Sequence, residues 1–177
     1  GILCKLRHYV SCQTLTQLYY ALVYPFLTYS CMVWGSTYVT NINPLVVLQK
    51  RTIRILSFSK FEAHTNPLFA RLKILKLHDI IFFHTACFMY KFSKSSLPNT
   101  FDNFFTRINT RHSYNTRLSS KSSFALPNIR TNYGKFNITF FGPKVWNQVK
   151  ESIKTLSFQS FKRELKADLL SSYTSFH

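Results

Sequence analysis

The sequence predicts a mainly α protein: a small helical bundle, followed by a basic C-terminal region with a short strand and two helices. Three observations carry this expectation. Apolar residues recur at helical spacing through several windows. Two of those windows open on Asn-Pro, at Asn43-Pro44 and Asn66-Pro67, a pair that sets an N-cap before a first-turn proline. Of the 177 residues 46% are hydrophobic and 17% aromatic, too apolar for a disordered chain and enough for a core. The length suits roughly one domain or one and a half. A helical subdomain is expected over 1–95 and the basic, partly irregular region over 96–177.

Residues 15–35, LTQLYYALVYPFLTYSCMVWG, form the most apolar stretch, inside a segment from His8 to Gln49 without Asp, Glu, Lys or Arg. Thr14 to Gln17 reads as a capping box. Leu15, Leu18, Tyr19, Leu22, Phe26 and Val33 then follow near helical spacing. Pro25 should kink this helix or end its first half, and Gly35 should close it. A helix apolar nearly all round is buried or in a membrane. The stretch nears the roughly 20 residues a span needs, but it holds Pro25, Thr28, Ser30 and four tyrosines, with basic residues on both flanks. Burial is the expectation, with Tyr19 and Trp34 in the core.

Asn43-Pro44 predicts a helix over 44–57, with Leu45, Leu48, Thr52, Ile55 and Leu56 inward and Lys50, Arg51 and Arg54 on the opposite face. No acidic residue stands at i,i+4 to neutralise that face. Asn66-Pro67 predicts a short helix over 67–72 carrying Leu68, Phe69 and Leu72 inward. A longer helix over 78–93 comes next, striped by Ile81, Phe82, Thr85, Phe88, Met89 and Phe92, with Asp79, Lys91 and Lys94 suiting its dipole. Residues 95–99, SSLPN, read as a turn and the domain boundary. Phe136, Ile138 and Phe140 alternate with Asn137, Thr139 and Phe141 and predict the strand, which Gly142-Pro143 should break before a helix bearing Val145, Trp146 and Val149. In the last helix Ser157 should cap, Leu156 should staple onto Phe161, and Phe158, Phe161, Leu165 and Leu169 should be buried, with Lys162, Arg163 and Lys166 toward solvent.

Twenty-three Lys and Arg against six Asp and Glu leave a formal charge of +17. Such an excess fits a polyanion, nucleic acid first and an anionic membrane surface second. From Asn103 to Lys150 there is no acidic residue, while Arg107, Arg111, Arg117, Arg130 and Lys135 are interleaved with Tyr114, Phe124, Tyr133 and Phe136. Arginine and lysine beside aromatics suit backbone phosphates and stacked bases. The nucleic-acid-binding residues expected are therefore Lys50, Arg51, Arg54, Arg107, Arg111, Arg117, Arg130 and Lys135. The four cysteines show no C-x-x-C and no zinc-ligand spacing. Three of the four lie in apolar settings and read as small buried hydrophobes in a reducing compartment, nucleus or cytoplasm, and no signal peptide is evident. Four scattered glycines make no phosphate loop, the acids are isolated, and no serine has a recognisable base. An autonomous enzyme is not expected, and neither a cofactor nor a small-molecule substrate is.

Three blocks together, LTQLYYALVYPFLTYSCMVWG with LQKRTIRIL, HTNPLFARLKILKLHD, and the C-terminal RHSYNTR…LPNIRTNYGKFNITFFGPKVWNQVKESIK…FQSFKRELKADLL, resemble the end of reverse transcriptases of non-LTR (LINE-like, jockey-type) retrotransposons. The resemblance covers nearly the whole chain and rests on the order and spacing of the blocks. It implies a thumb that closes on a template–primer duplex, then a basic tail, with Arg51 and Arg54 as thumb contacts. It implies RNA or DNA as partner, and the palm and fingers of a parent polymerase as missing neighbours. The Tyr/Phe-Ala-Asp-Asp signature that holds Mg²⁺ in that family's palm does not occur here, so the chain reads as a non-polymerising fragment. Two alternatives stand beside it: a helical module for an acidic protein partner, and a membrane-associated basic protein.

Overall fold

The computed structural model describes residues 1–108 and 123–173. Among these residues the protein is mainly α, with eleven α-helices, one 3-10 turn at Asn99–Phe101, and strand-like pairing only at one isolated bridge. The helices are α1 (Ile2–Leu6), α2 (Cys12–Leu22), α3 (Tyr24–Thr28), α4 (Cys31–Trp34), α5 (Val39–Leu56), α6 (Asn66–Leu72), α7 (Leu77–Ser93), α8 (Asn132–Phe136), α9 (Ile138–Gln148), α10 (Glu151–Lys154) and α11 (Phe158–Ser171). The chain packs as two compact units. The first comprises Gly1–Cys31, Tyr38–Ile80 and Lys166–His177, the second Met32–Thr37 and Ile81–Leu165. The boundary expected at 95–99 falls inside the second unit. There the rings of α7 pack on aromatic residues that follow that turn in the chain: Phe92 meets Phe105 at 4.7 Å and Phe124 at 5.5 Å, and Tyr90 meets Phe161 at 4.6 Å.

The apolar stretch 15–35 is divided between helices rather than forming one, and its last residues, 32–35, belong to the second unit. The α2 N-cap is Ser11, whose Oγ accepts from the Thr14 N–H at 3.2 Å, so the cap lies three residues before the expected Thr14. Pro25 does end the first half: α2 stops at Leu22 and Pro25 sits in the first turn of α3, where its missing donor is harmless. Ser30, at φ 49°, makes the break before α4. Tyr19 is fully buried; Trp34 is only half-buried, and Phe26 and Tyr29 are each 80% exposed.

Helix α5 starts at Val39, with Pro44 inside it rather than at its head. The earlier start buries Ile42, and helical spacing from there makes Gln49, Ile53 and Leu56 the core face. Leu48, expected inward, is 54% exposed. The pivot is polar. The Gln49 amide Nε2 donates to the Tyr19 hydroxyl at 3.1 Å and to the Leu75 carbonyl at 3.0 Å, while its Oε1 accepts from the Leu77 N–H at 2.8 Å. A buried amide is tolerated only when it is paired in this way. Phe69 of α6 lies edge-on to Tyr173, 6.3 Å between ring centres, and the Tyr173 hydroxyl accepts from the Lys76 N–H and donates to the Asp79 carboxylate.

In the second unit the expected strand over 136–141 is helical. Asn137 is the N-cap of α9, its Oδ1 accepting from the Thr139 N–H at 3.0 Å. From there Gly142, Val145 and Trp146 are buried, a helical and not an alternating pattern. Gly142-Pro143 lies within α9 instead of breaking a strand. A Cβ at Gly142 would stand 2.8 Å from the Met89 sulfur, so the missing side chain lets α9 approach α7 closely. Trp146 is walled by the rings of Tyr90, Phe124 and Phe161. The Asn147 amide clasps the Phe124 backbone, accepting from its N–H at 3.0 Å and donating to its carbonyl at 2.9 Å. The strand-like pairing lies elsewhere, where Arg107 bridges Phe124 in antiparallel sense.

Candidate nucleic-acid interface

Lys50, Arg51 and Arg54 share one arc of α5, but they differ in surroundings. Arg51 is exposed, while Lys50 and Arg54 flank the buried stripe and are half-buried. The Arg54 guanidinium donates through Nε to the Ala63 carbonyl at 3.0 Å and lies 5.7 Å from the Phe61 ring centre. Arg54 therefore fastens the loop after α5 and contributes charge as well. Ion pairs among the described residues include Lys154–Glu151 and Arg163–Glu164. Lys50, Arg51 and Arg54 face no carboxylate at ion-pair distance among the described residues.

Lys76, missed in the sequence, belongs beside this arc. Burial lowers its ammonium pKa, Asp79 pulls it up, and the charge of Lys50 pushes it down. Its ammonium lies 4.0 Å from the centre of the Tyr173 ring. Sequence carries no signal for it, because Lys76 lies in the turn between α6 and α7.

Of the residues expected in the tail, Arg111 and Arg117 lie outside the described residues. Arg107 turns onto its own unit, donating to the Ser93 carbonyl at 2.8 Å with its guanidinium carbon 5.9 Å from the Phe124 ring centre. Arg130 and Lys135 are exposed on either side of the N-terminal turn of α8, with Tyr133, 80% exposed, between them. The structure thus divides the expected site: the α5 group stands in the first unit, and Arg107, Arg130 and Lys135 stand in the second. The second unit also holds a basic cluster that helical spacing does not reveal. Lys91 and Lys162 lie 5.4 and 4.8 Å from the centre of the Phe158 ring, and Lys94 lies 5.8 Å from that of Tyr90.

The first unit also carries an apolar groove of about 260 Å³ between α2–α3 and α5, lined by Leu22, Val23, Phe26, Leu27, Leu45 and Leu48. The carboxylates are dispersed and several are engaged: Asp79 by Tyr173, Glu151 by Lys154 and Glu164 by Arg163. Among the described residues no group of three His, Cys, Asp or Glu is placed to hold a metal ion, and no helix is long and apolar enough to cross a membrane. No protein-family model, curated protein or solved structure matches the chain.

Proposed function

We propose that the chain binds the phosphate backbone of RNA or DNA without sequence preference, as the thumb-and-tail piece of a non-LTR retrotransposon reverse transcriptase. The observation that carries the binding is the α5 arc of Lys50, Arg51 and Arg54, with no carboxylate at ion-pair distance among the described residues, in a protein of net charge +17. Lysine and arginine there present charge to phosphates, which position a duplex but carry no sequence information. Tyr133, exposed between Arg130 and Lys135, suits stacking of an unpaired base in the tail. The retrotransposon origin rests on the three sequence blocks, and the expected compartment is nuclear or cytoplasmic.

Anisotropy titration of the wild type and K50Q/R51Q on two unrelated duplexes tests this reading. Each lost phosphate contact should flatten the dependence of log K on log salt by about 0.9. Equal slopes for the two proteins remove α5 from the interface, and a loss confined to one duplex reveals base reading. With no palm aspartates, template-dependent dNTP incorporation in Mg²⁺ should stay at the no-protein level, because two-metal chemistry needs carboxylates converging on ions about 4 Å apart. Incorporation above that level sinks the fragment reading.

The groove between α2–α3 and α5 favours a second reading, a helical module that docks an acidic protein. Under it F26S/L48S abolishes saturable binding of an acidic amphipathic peptide and leaves the salt slope on duplex unchanged. Peptide binding equal to wild type removes this reading.

A further inference from the structure

We propose that Lys91, Lys94 and Lys162, seated over the rings of Phe158 and Tyr90, form a second phosphate-backbone contact surface, for a nucleic-acid strand on the second unit. The proposal rests on the nucleic-acid reading above but uses none of its residues. Lys91 and Lys94 stand at the C-terminal end of α7 and Lys162 in the second turn of α11, so three charges from two helices converge. The ammonium groups of Lys91 and Lys162 stand 5.4 and 4.8 Å from one ring centre, that of Phe158. The Phe158 and Tyr90 rings are themselves 5.4 Å apart, which brings Lys94 into the same cluster. Both Lys91 and Lys162 also act electrostatically on the Cys87 thiol, which burial raises to about 12 against their pull.

Three like charges held together cost free energy unless an anion neutralises them. Glu151 and Glu164, two carboxylates of this unit, pair with Lys154 and Arg163, and among the described residues none meets Lys91, Lys94 or Lys162. The rings restrict the lysine chains before binding, which lowers the ordering cost of each contact. Lysine offers a point charge rather than a fork, so the surface follows phosphates instead of base edges. A membrane surface is the lesser fit, because it needs exposed apolar side chains beside the lysines. Here Tyr90 is buried and Phe158 half-buried.

The test compares salt slopes on an unrelated-sequence duplex for the wild type, K91Q/K162Q, K91R/K162R and K50Q/R51Q. K91Q/K162Q should flatten the slope by about 1.8, and K94Q, which leaves the Phe158 seat intact, by about 0.9. K91R/K162R should keep the wild-type slope. A flattened slope in K91Q/K162Q with none in K50Q/R51Q upholds this surface and removes the α5 arc. The converse overturns this surface and leaves the α5 reading standing. An unchanged slope in K91Q/K162Q together with lost binding to phosphatidylserine vesicles also overturns it, by assigning the lysines to lipid.

Discussion

The side chain of Gln49 ties α5 to two other segments: the Tyr19 hydroxyl of α2, and the Leu75 carbonyl and Leu77 N–H of the turn into α7. Replacing it with Met keeps the volume and strands three buried polar groups. Gln49→Met should therefore cost about 3 kcal/mol in a denaturant titration. Tyr19→Phe removes one partner and leaves the amide bonded to Leu75, so about 1 kcal/mol is expected. A loss for Gln49→Met no larger than that for Tyr19→Phe would show that the network is not what holds this face. Tyr19 also carries a pH signature. Burial, opposed by its bond to Gln49, raises its hydroxyl to about 12. The folded state then holds a proton that the unfolded chain gives up near 10, the ordinary tyrosine value. Stability contributed by neutral Tyr19 is full below pH 10 and falls as pH rises through 12. Over that window the loss of stability with pH should be shallower in Tyr19→Phe than in the wild type. Tyr173, raised by burial and by its bond to the Asp79 carboxylate, adds to the same alkaline loss.

At the scale of the element, α9 is the instructive case. Phe136, Ile138 and Phe140 alternate like a strand only because the window is short. Continued to Val145 and Trp146, the apolar residues from Ile138 onward follow a helix, and Asn137 supplies its cap. Asn137→Ala should cost about 1 kcal/mol and Asn137→Asp much less, since either Asn or Asp oxygen can accept from N–H groups of the first turn. In a strand neither change would matter in that order, so the pair of melting curves separates the two structures. Similar reasoning explains α5. The Asn-Pro signal is real chemistry, but burial of Ile42 and the Gln49 bonds outweigh one donor lost at Pro44. Helix existence is legible from apolar period, and Phe69, Met89, Trp146, Phe161 and Leu165 are core residues that the period marks correctly. Helix starts are not, because a polar residue such as Gln49 cannot announce in sequence that it will be satisfied inside.

For the whole molecule, charge dominates. A net +17 makes the folded state repel itself, so thermal stability should rise with added salt. It should rise further at fixed ionic strength when duplex is added, because ligand that binds the folded state shifts the melting equilibrium. A melting temperature insensitive to both would detach the charge from any binding role. The excess of cations is plain in composition, and the α5 arc is plain in helical spacing. The Lys91–Lys162 approach is not, since it depends on α7 and α11 meeting at Phe158, far apart in the chain. Nor can spacing reveal that Arg54 and Arg107 spend part of their capacity on the Ala63 and Ser93 carbonyls.

The Gln49 amide has a consequence for the order of events in folding. Its partners lie 30, 26 and 28 residues away, so no local helix can satisfy it. A first unit with α2 and α5 docked but the 74–77 turn absent would enclose an amide with bonds missing, which costs more than leaving it in water. Partly assembled states of this unit are thus penalised on both sides. Its segments must arrive together, so α2, α5 and the turn before α7 form one cooperative block that gains little until the last of them closes.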